Sequence, residues 1–248
     1  MKKISYFWLY FLLLSFLASP LIASEVLVYR NESMPFCGTV NGKDAGMVVD
    51  ILNEVTKQGG PKFIFKALPW KRAQRYVQAK KGTAITPFTR TPSREKEHMW
   101  IVELFSYYAR LTTAKNPKTK LSLPPLLSID SAKHLPTGII LGSAHIQTLI
   151  ELGFTDLVEI NAAELSAKQL MLGNISVMVE SQWVDTYYWR QLGMNSKDLI
   201  IGPSIEEAKH IYLSGALDFP MDTAAKIRKA MKQVRKSGKL ETIRNKWR

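Results

Sequence analysis

The chain has 248 residues, 46% hydrophobic and 22% charged, which supplies a packed core and excludes a disordered or collagen-like polymer. A single Cys excludes an internal disulfide framework and any multi-Cys zinc or iron–sulfur site. The formal charge of +13 permits an anionic partner without naming one.

Lys2 and Lys3 precede an apolar run from Ile4, which Ser15, Ser19 and Pro20 begin to interrupt and the small residues Ala23 and Ser24 close. A positive start, an apolar middle and a small-residue end form the pattern of a secretory signal peptide. The alternative, a membrane anchor, fits less well, because Ile4–Leu17 falls short of the ~20 residues of a spanning helix. Residues 1–24 are therefore read as a leader cleaved near Ala23 or Ser24, with the remainder exported. Cys37 would stand alone in an oxidising compartment and reads as a small hydrophobe rather than a reactive thiol.

Glu25–Arg30 alternates apolar and polar residues and predicts a strand. Met47, Val48, Ile51, Leu52 and Val55 fall at helical spacing, with Gly59-Gly60-Pro61 as the stop. Lys62–Ala67 predicts a strand and Trp70–Val77 a helix; Met99–Val102 and Tyr107–Thr113 read as strands. Lys115–Pro125, rich in Lys and Pro, marks a crossing between two lobes. Alternation then restarts: strand Gly138–Leu141, helix Gln147–Leu152, strand Leu157–Ile160, helix Ala163–Leu172, strand Ile175–Glu180, helix Trp183–Leu192 and strand Asp198–Ile201. Lys209–Leu213 would return the chain to the first lobe, and Ala224–Trp247 is helical and basic with a break at Ser237-Gly238. Strand–helix alternation throughout points to an α/β fold with mostly parallel sheets.

Catalytic and metal signatures are sparse. His98, His134, His145 and His210 are scattered, so no metal or cofactor is expected. No nucleophile elbow, phosphate-binding loop or dinucleotide glycine pattern occurs. Lys80-Lys81 and the basic C-terminal helix suggest nucleic acid, but interspersed acids in an exported chain argue against it, and the basic tail reads as a solvated face near anionic envelope surfaces.

Four places together resemble the family 3 solute-binding proteins, receptors of ABC importers for amino acids and polar solutes. They are Met34-Pro35-Phe36 followed by Gly46–Leu52, Thr91-Pro92-Ser93-Arg94, Leu141-Gly142-Ser143 before a helix, and the tail Lys226–Trp247. Their order after a leader carries the resemblance, which spans nearly all of the exported chain. It implies a two-lobed clamp of the type II periplasmic-binding-protein fold with two hinge crossovers. Lobe 1 would be residues 25–113 plus 209–248, and lobe 2 residues 114–208. The expected partners are a small polar solute and an ABC permease in the inner membrane, with the receptor itself a periplasmic monomer.

The resemblance also assigns residues. By itself Arg94-Glu95-Lys96-Glu97 reads as a solvated run; by the resemblance Arg94 holds a ligand carboxylate, its planar fork suiting bidentate contact. Thr91 would assist, and Arg90 either adds a contact or faces solvent. Trp70 is expected to stack on the ligand, with Phe36 as a candidate second wall. Ser143 opens a helix, either as a plain cap or as an anion contact. Amino-acid receptors of the family carry an Asp for the ligand ammonium after a Gly-x-x-Asp-Ala strand. Here Ser176 replaces the strand Asp and Ser181 falls at the ammonium position. Glu180 or Asp185 could substitute, although alternation places Glu180 opposite Ser181. The leading expectation is a binding protein without bond chemistry. An exported dehydratase of cyclic acids, with Glu180, Asp185 or His145 as acid or base, and a sensor without a permease are the alternatives.

Overall fold

A computed structural model describes residues 24–115 and 127–247, so the expected leader lies outside the described residues. Strand β1 (Glu25–Arg30) leads through the hairpin β2 (Gly38–Val40) and β3 (Lys43–Ala45) into helix α1 (Met47–Lys57). Helix α1 buries Met47, Val48, Ile51, Leu52 and Val55, the stripe that helical spacing predicts, each contributing about 1.5–3 kcal/mol of burial. Gly46 caps it with φ 116°, where a Cβ would lie 2.6 Å from the Phe36 carbonyl oxygen. The Pro-Phe loop is thereby pressed directly onto the start of α1.

Strands β4 (Lys62–Ala67) and β5 (Ala84–Thr89), with helix α2 (Trp70–Ala79) between them, flank β1 in parallel. Strand β6 (Met99–Tyr107) and the late strand β12 (Lys209–Gly215) complete a sheet of order β4-β1-β5-β12-β6. The second sheet has the order β11-β7-β10-β8-β9, built from β7 (Ala109–Ala114), β8 (Thr137–Ile140), β9 (Leu157–Ile160), β10 (Val177–Ser181) and β11 (Leu199–Ser204). Helices α3 (Ile129–Ala132), α4 (Ile146–Glu151), α5 (Ala163–Leu172) and α6 (Gln182–Gln191) accompany it, while α7 (Met221–Lys236) and α8 (Lys239–Lys246) close the chain.

The architecture is the expected two-lobed α/β clamp, with two differences of detail. The sheets are mixed: β12 runs antiparallel to both β5 and β6, and β7 antiparallel to both β10 and β11. The chain crosses outward from β6 to β7 and returns from β11 to β12 in the opposite direction, so each returning strand lies antiparallel to the outgoing strand it pairs with. The first change of sheet also comes earlier than the sequence suggests. β6 ends at Tyr107 and β7 begins at Ala109, so Tyr108 alone spans the lobes, and residues 109–113 lie in the second sheet. The return passes through Ile205–Ala208, and the two crossings run side by side, Ile205 N–H donating to the Ala109 carbonyl at 3.0 Å.

Candidate functional site

The carboxyl ends of β1, β5, β8 and β10 converge on one cavity of about 40 Å³ between the lobes. That is where open α/β sheets leave a crevice, because the loops diverge beyond the strand ends. Asn31, Ser33 and Phe36 follow β1, Thr89 and Arg94 belong to the end of β5, Ser143 and His145 follow β8, and Glu180 stands near the end of β10.

Arg94 closes a short 3-10 turn, Pro92–Arg94, that swings its side chain back over β5. Its Nη1 donates to the Thr89 carbonyl at 3.1 Å, and its Nη2 to Gln74 Oε1 at 3.2 Å and to the Gly142 carbonyl at 3.0 Å. The guanidinium lies 4.4 Å from the Phe88 ring centroid. Among the described residues no carboxylate stands within ion-pair distance of it. Burial therefore holds its pKa down to about 10, against weaker opposing attraction from Tyr107 and Glu97. Gly142 (φ 77°) allows this approach: a Cβ there would lie 3.0 Å from Gln74 Nε2, which itself donates to the Gly142 carbonyl.

Glu180, on a strand of the other lobe, lines the same cavity as Arg94. Its Oε1 accepts the Ser181 N–H at 2.9 Å. Burial raises its pKa, with the nearby His145 and the Ser181 N–H acting the other way. Asp185, one turn into α6, is buried and does not line the cavity; burial drives its pKa well up, and among the described residues its Oδ2 has no hydrogen-bond partner.

A second polar chain runs from the cavity wall into the hinge. His145 Nε2 meets the Tyr107 hydroxyl at 2.6 Å, and its Nδ1 meets Glu206 Oε1 at 2.6 Å. Glu206 sits in the return crossing and also receives Thr148 Oγ1 at 3.0 Å and Lys209 Nζ at 2.7 Å. Burial alone would raise the Glu206 carboxyl, but these partners outweigh it and hold it down to about 2. Burial pushes the Tyr107 hydroxyl well up.

Of the residues singled out in the sequence, Phe36, Trp70, Arg94, Ser143, His145 and Glu180 are brought together around the cavity. Trp70 is buried with its ring edge-on to Phe88, and Phe36 packs on Phe105 and Tyr107. Besides Asp185, three others stand outside the lining. Arg90 pairs with Glu95 at 2.5 Å and lies over Trp100 and Tyr212 on the outer surface. Thr91 meets Ser93 Oγ at 3.0 Å, and Thr89 takes its place in the wall. Ser181 caps α6, its Oγ accepting the Trp183 N–H at 3.3 Å, so Glu180 and not Ser181 presents the polar group. Tyr107, Thr89, Asn31 and Ser33 also line the cavity and belong to no sequence motif. Only the position of Asn31 and Ser33, directly after a strand that leads into the Pro-Phe loop, marked them.

The chain matches the model for bacterial extracellular solute-binding proteins, family 3, over residues 26–248. It belongs to that family. Among curated relatives of this family 3 member is the probable amino-acid-binding protein YxeM of Bacillus subtilis (strain 168), 24% identical over 224 residues, covering 87% of this chain and 80% of that one. Among solved structures, a histidine kinase sensor domain with similarity to periplasmic binding proteins superposes with a TM-score of 0.78 at 16% identity, covering 91% of this chain and 96% of the other. The arginine-, lysine-, histidine-binding protein ArtJ of Geobacillus stearothermophilus gives 0.74 at 19% identity, over 90% and 95%. An ancestral arginine-binding protein bound to arginine gives 0.76 at 20%, over 90% and 98%. At these identities the structural likenesses establish the fold, and no more.

Proposed function

We propose that the protein is an exported receptor that closes over a small zwitterionic, amino-acid-like solute and delivers it to an ABC importer. The observation that carries this reading is that a half-buried guanidinium, Arg94, with no carboxylate within ion-pair distance, and a half-buried carboxyl, Glu180, with no Lys or Arg within ion-pair distance among the described residues, line one cavity from the two lobes. A ligand carboxylate would replace the Gly142 carbonyl on Arg94, with Ser143 beside it, and a ligand ammonium would complete Glu180. Trp70 and Phe36 would exclude water from both contacts, which strengthens them. Each lobe binds one end of the solute, so the solute itself favours the closed state. The printed name of the Bacillus subtilis relative, an amino-acid-binding protein, supports the same class.

Thermal unfolding in the presence of α-amino acids, their desamino acids and their decarboxylated amines tests the proposal. A ligand at 100 times its Kd adds about 2.7 kcal/mol, a shift of roughly 5–10 °C for a chain of this size. The zwitterions should shift the transition and the single-charge analogues should not. A transition moved by desamino acids alone would remove Glu180 from the reading.

A second reading draws on Glu180 and His145 facing the same cavity: an exported dehydratase of cyclic acids using one or both as acid and base. The fate of the solute separates the two. Recovery unchanged after prolonged incubation supports capture, and conversion of a prephenate-like acid supports the enzyme.

A further inference from the structure

Positive charge is unevenly placed on this chain. From Met221 to Trp247 there are nine Lys and Arg against two acids, Asp222 and Glu241. Asp222 stands in the first turn of α7, and Glu241 lies in α8, 3.5 Å from Arg244. At 100° per residue, Ile227, Met231 and Val234 form the buried stripe of α7, and Lys229, Lys232 and Lys236 fall on the opposite, exposed ridge. Arg228 and Arg235 are turned to the sheet, donating to the Ile101 carbonyl at 2.8 Å and the Glu103 carbonyl at 2.6 Å.

The ridge differs from its neighbours on the same lobe. Lys57 pairs with Glu54, Lys62 with Glu25 and Lys246 with Asp50, at 3.0, 2.8 and 2.7 Å. Among the described residues, Lys229, Lys232 and Lys236 have no acid within ion-pair distance. They span about 10 Å of helix, close to one Debye length at physiological salt, so an opposing charged surface meets them jointly.

We propose that this outward ridge of α7 is an adsorption surface for an anionic phospholipid bilayer, whichever solute the cleft takes. A straight, convex row of lysines without interleaved aromatic side chains suits a plane of headgroups. It does not suit a nucleic-acid strand, which needs a groove and stacking platforms. Adsorption would hold the receptor at a membrane face through long, hydrated side chains without inserting it.

The test is co-sedimentation of the full chain, and of its K229Q/K232Q/K236Q variant, with vesicles of phosphatidylcholine alone or rich in phosphatidylglycerol, at low and high salt. A retained leader contributes equally to both proteins, so the difference between them is what is read. Each lysine is expected to contribute about fivefold, so the variant should partition on the order of 100-fold less onto the anionic vesicles. Binding of the parent should also weaken with salt. Unchanged thermal unfolding of the variant confirms that it is folded. Equal partitioning of parent and variant, equal affinity for both vesicle types, or tighter binding of a duplex DNA than of the anionic vesicles would overturn the proposal.

Discussion

Arg94 Nη2 donates to the Gly142 carbonyl at 3.0 Å, one of the hydrogen bonds that join the two lobes directly across the cavity. It ties the two lobes together, and in the proposed function a solute anion takes over this contact. A carboxylate is a better partner for a guanidinium than a carbonyl, because the charged bond is roughly twice as strong.

Replacing Arg94 by Ala should therefore cost about 2–5 kcal/mol of solute affinity, the range for unpairing a buried charge pair. Titration calorimetry reads this directly. Arg94→Lys keeps the charge without the fork and should recover only part of the loss. Affinity unaltered in Arg94→Ala would take this residue out of the site.

Glu180→Gln should discriminate between solutes. It removes the charge for an ammonium while leaving Arg94 in place, so α-amino acids should lose affinity and desamino acids should gain relative to them. The same side chain sets a pH dependence. Burial raises the Glu180 carboxyl, so its ionised form is lost at a pH above the ordinary glutamate range as acid is added. Amino-acid affinity should fall with decreasing pH from that point, and the Gln variant should lack this step. A parent affinity flat from neutral pH down to the ordinary glutamate range would count against the assignment.

Much of the fold was legible because its elements are amphipathic. Lys62–Ala67, Leu157–Ile160 and Ala163–Leu172 have the bounds that their patterns predict. Strand β5 escaped because all six of its residues are buried and Pro87 lies inside it, so it shows neither alternation nor an uninterrupted strand signal. The site was half legible for a related reason. Arg94 and Trp70 sit in local motifs, but the choice between Glu180 and Ser181 turns on where a strand ends and a helix cap begins. Both faces of β10 are covered, with Met178 and Val179 in different core clusters, so alternation carries no information about the cleft. The Tyr107–His145–Glu206 chain joins three distant parts of the sequence and has no local signature at all.

Gly46→Ala should destabilise the first lobe. The new Cβ would approach the Phe36 carbonyl oxygen to 2.6 Å and the Cys37 backbone to 2.8 Å, at a φ of 116° that L residues seldom adopt. Backbone strain of this kind costs on the order of 1–3 kcal/mol. Denaturant unfolding should show a lower midpoint with an unchanged slope, and because the Pro-Phe loop carries Phe36 to the cavity, solute affinity should fall as well. Wild-type stability in this variant would mean that α1 can start elsewhere.

Glu206→Gln addresses the hinge. The carboxyl is held to about 2 in the folded chain by His145, Lys209 and Thr148, below its value in the unfolded chain. A carboxyl depressed in this way contributes stability that is fully present above the ordinary glutamate pKa and is lost as pH falls toward the folded value. Solvent screening around this partly exposed carboxyl reduces the contribution at neutral pH to about 1–2 kcal/mol. Parent and variant should therefore differ most in unfolding free energy near neutral pH, and the gap should close progressively between about pH 4.5 and 2. A gap that stays constant through that range would show that the loss comes from packing around the crossing, with the carboxylate charge contributing nothing.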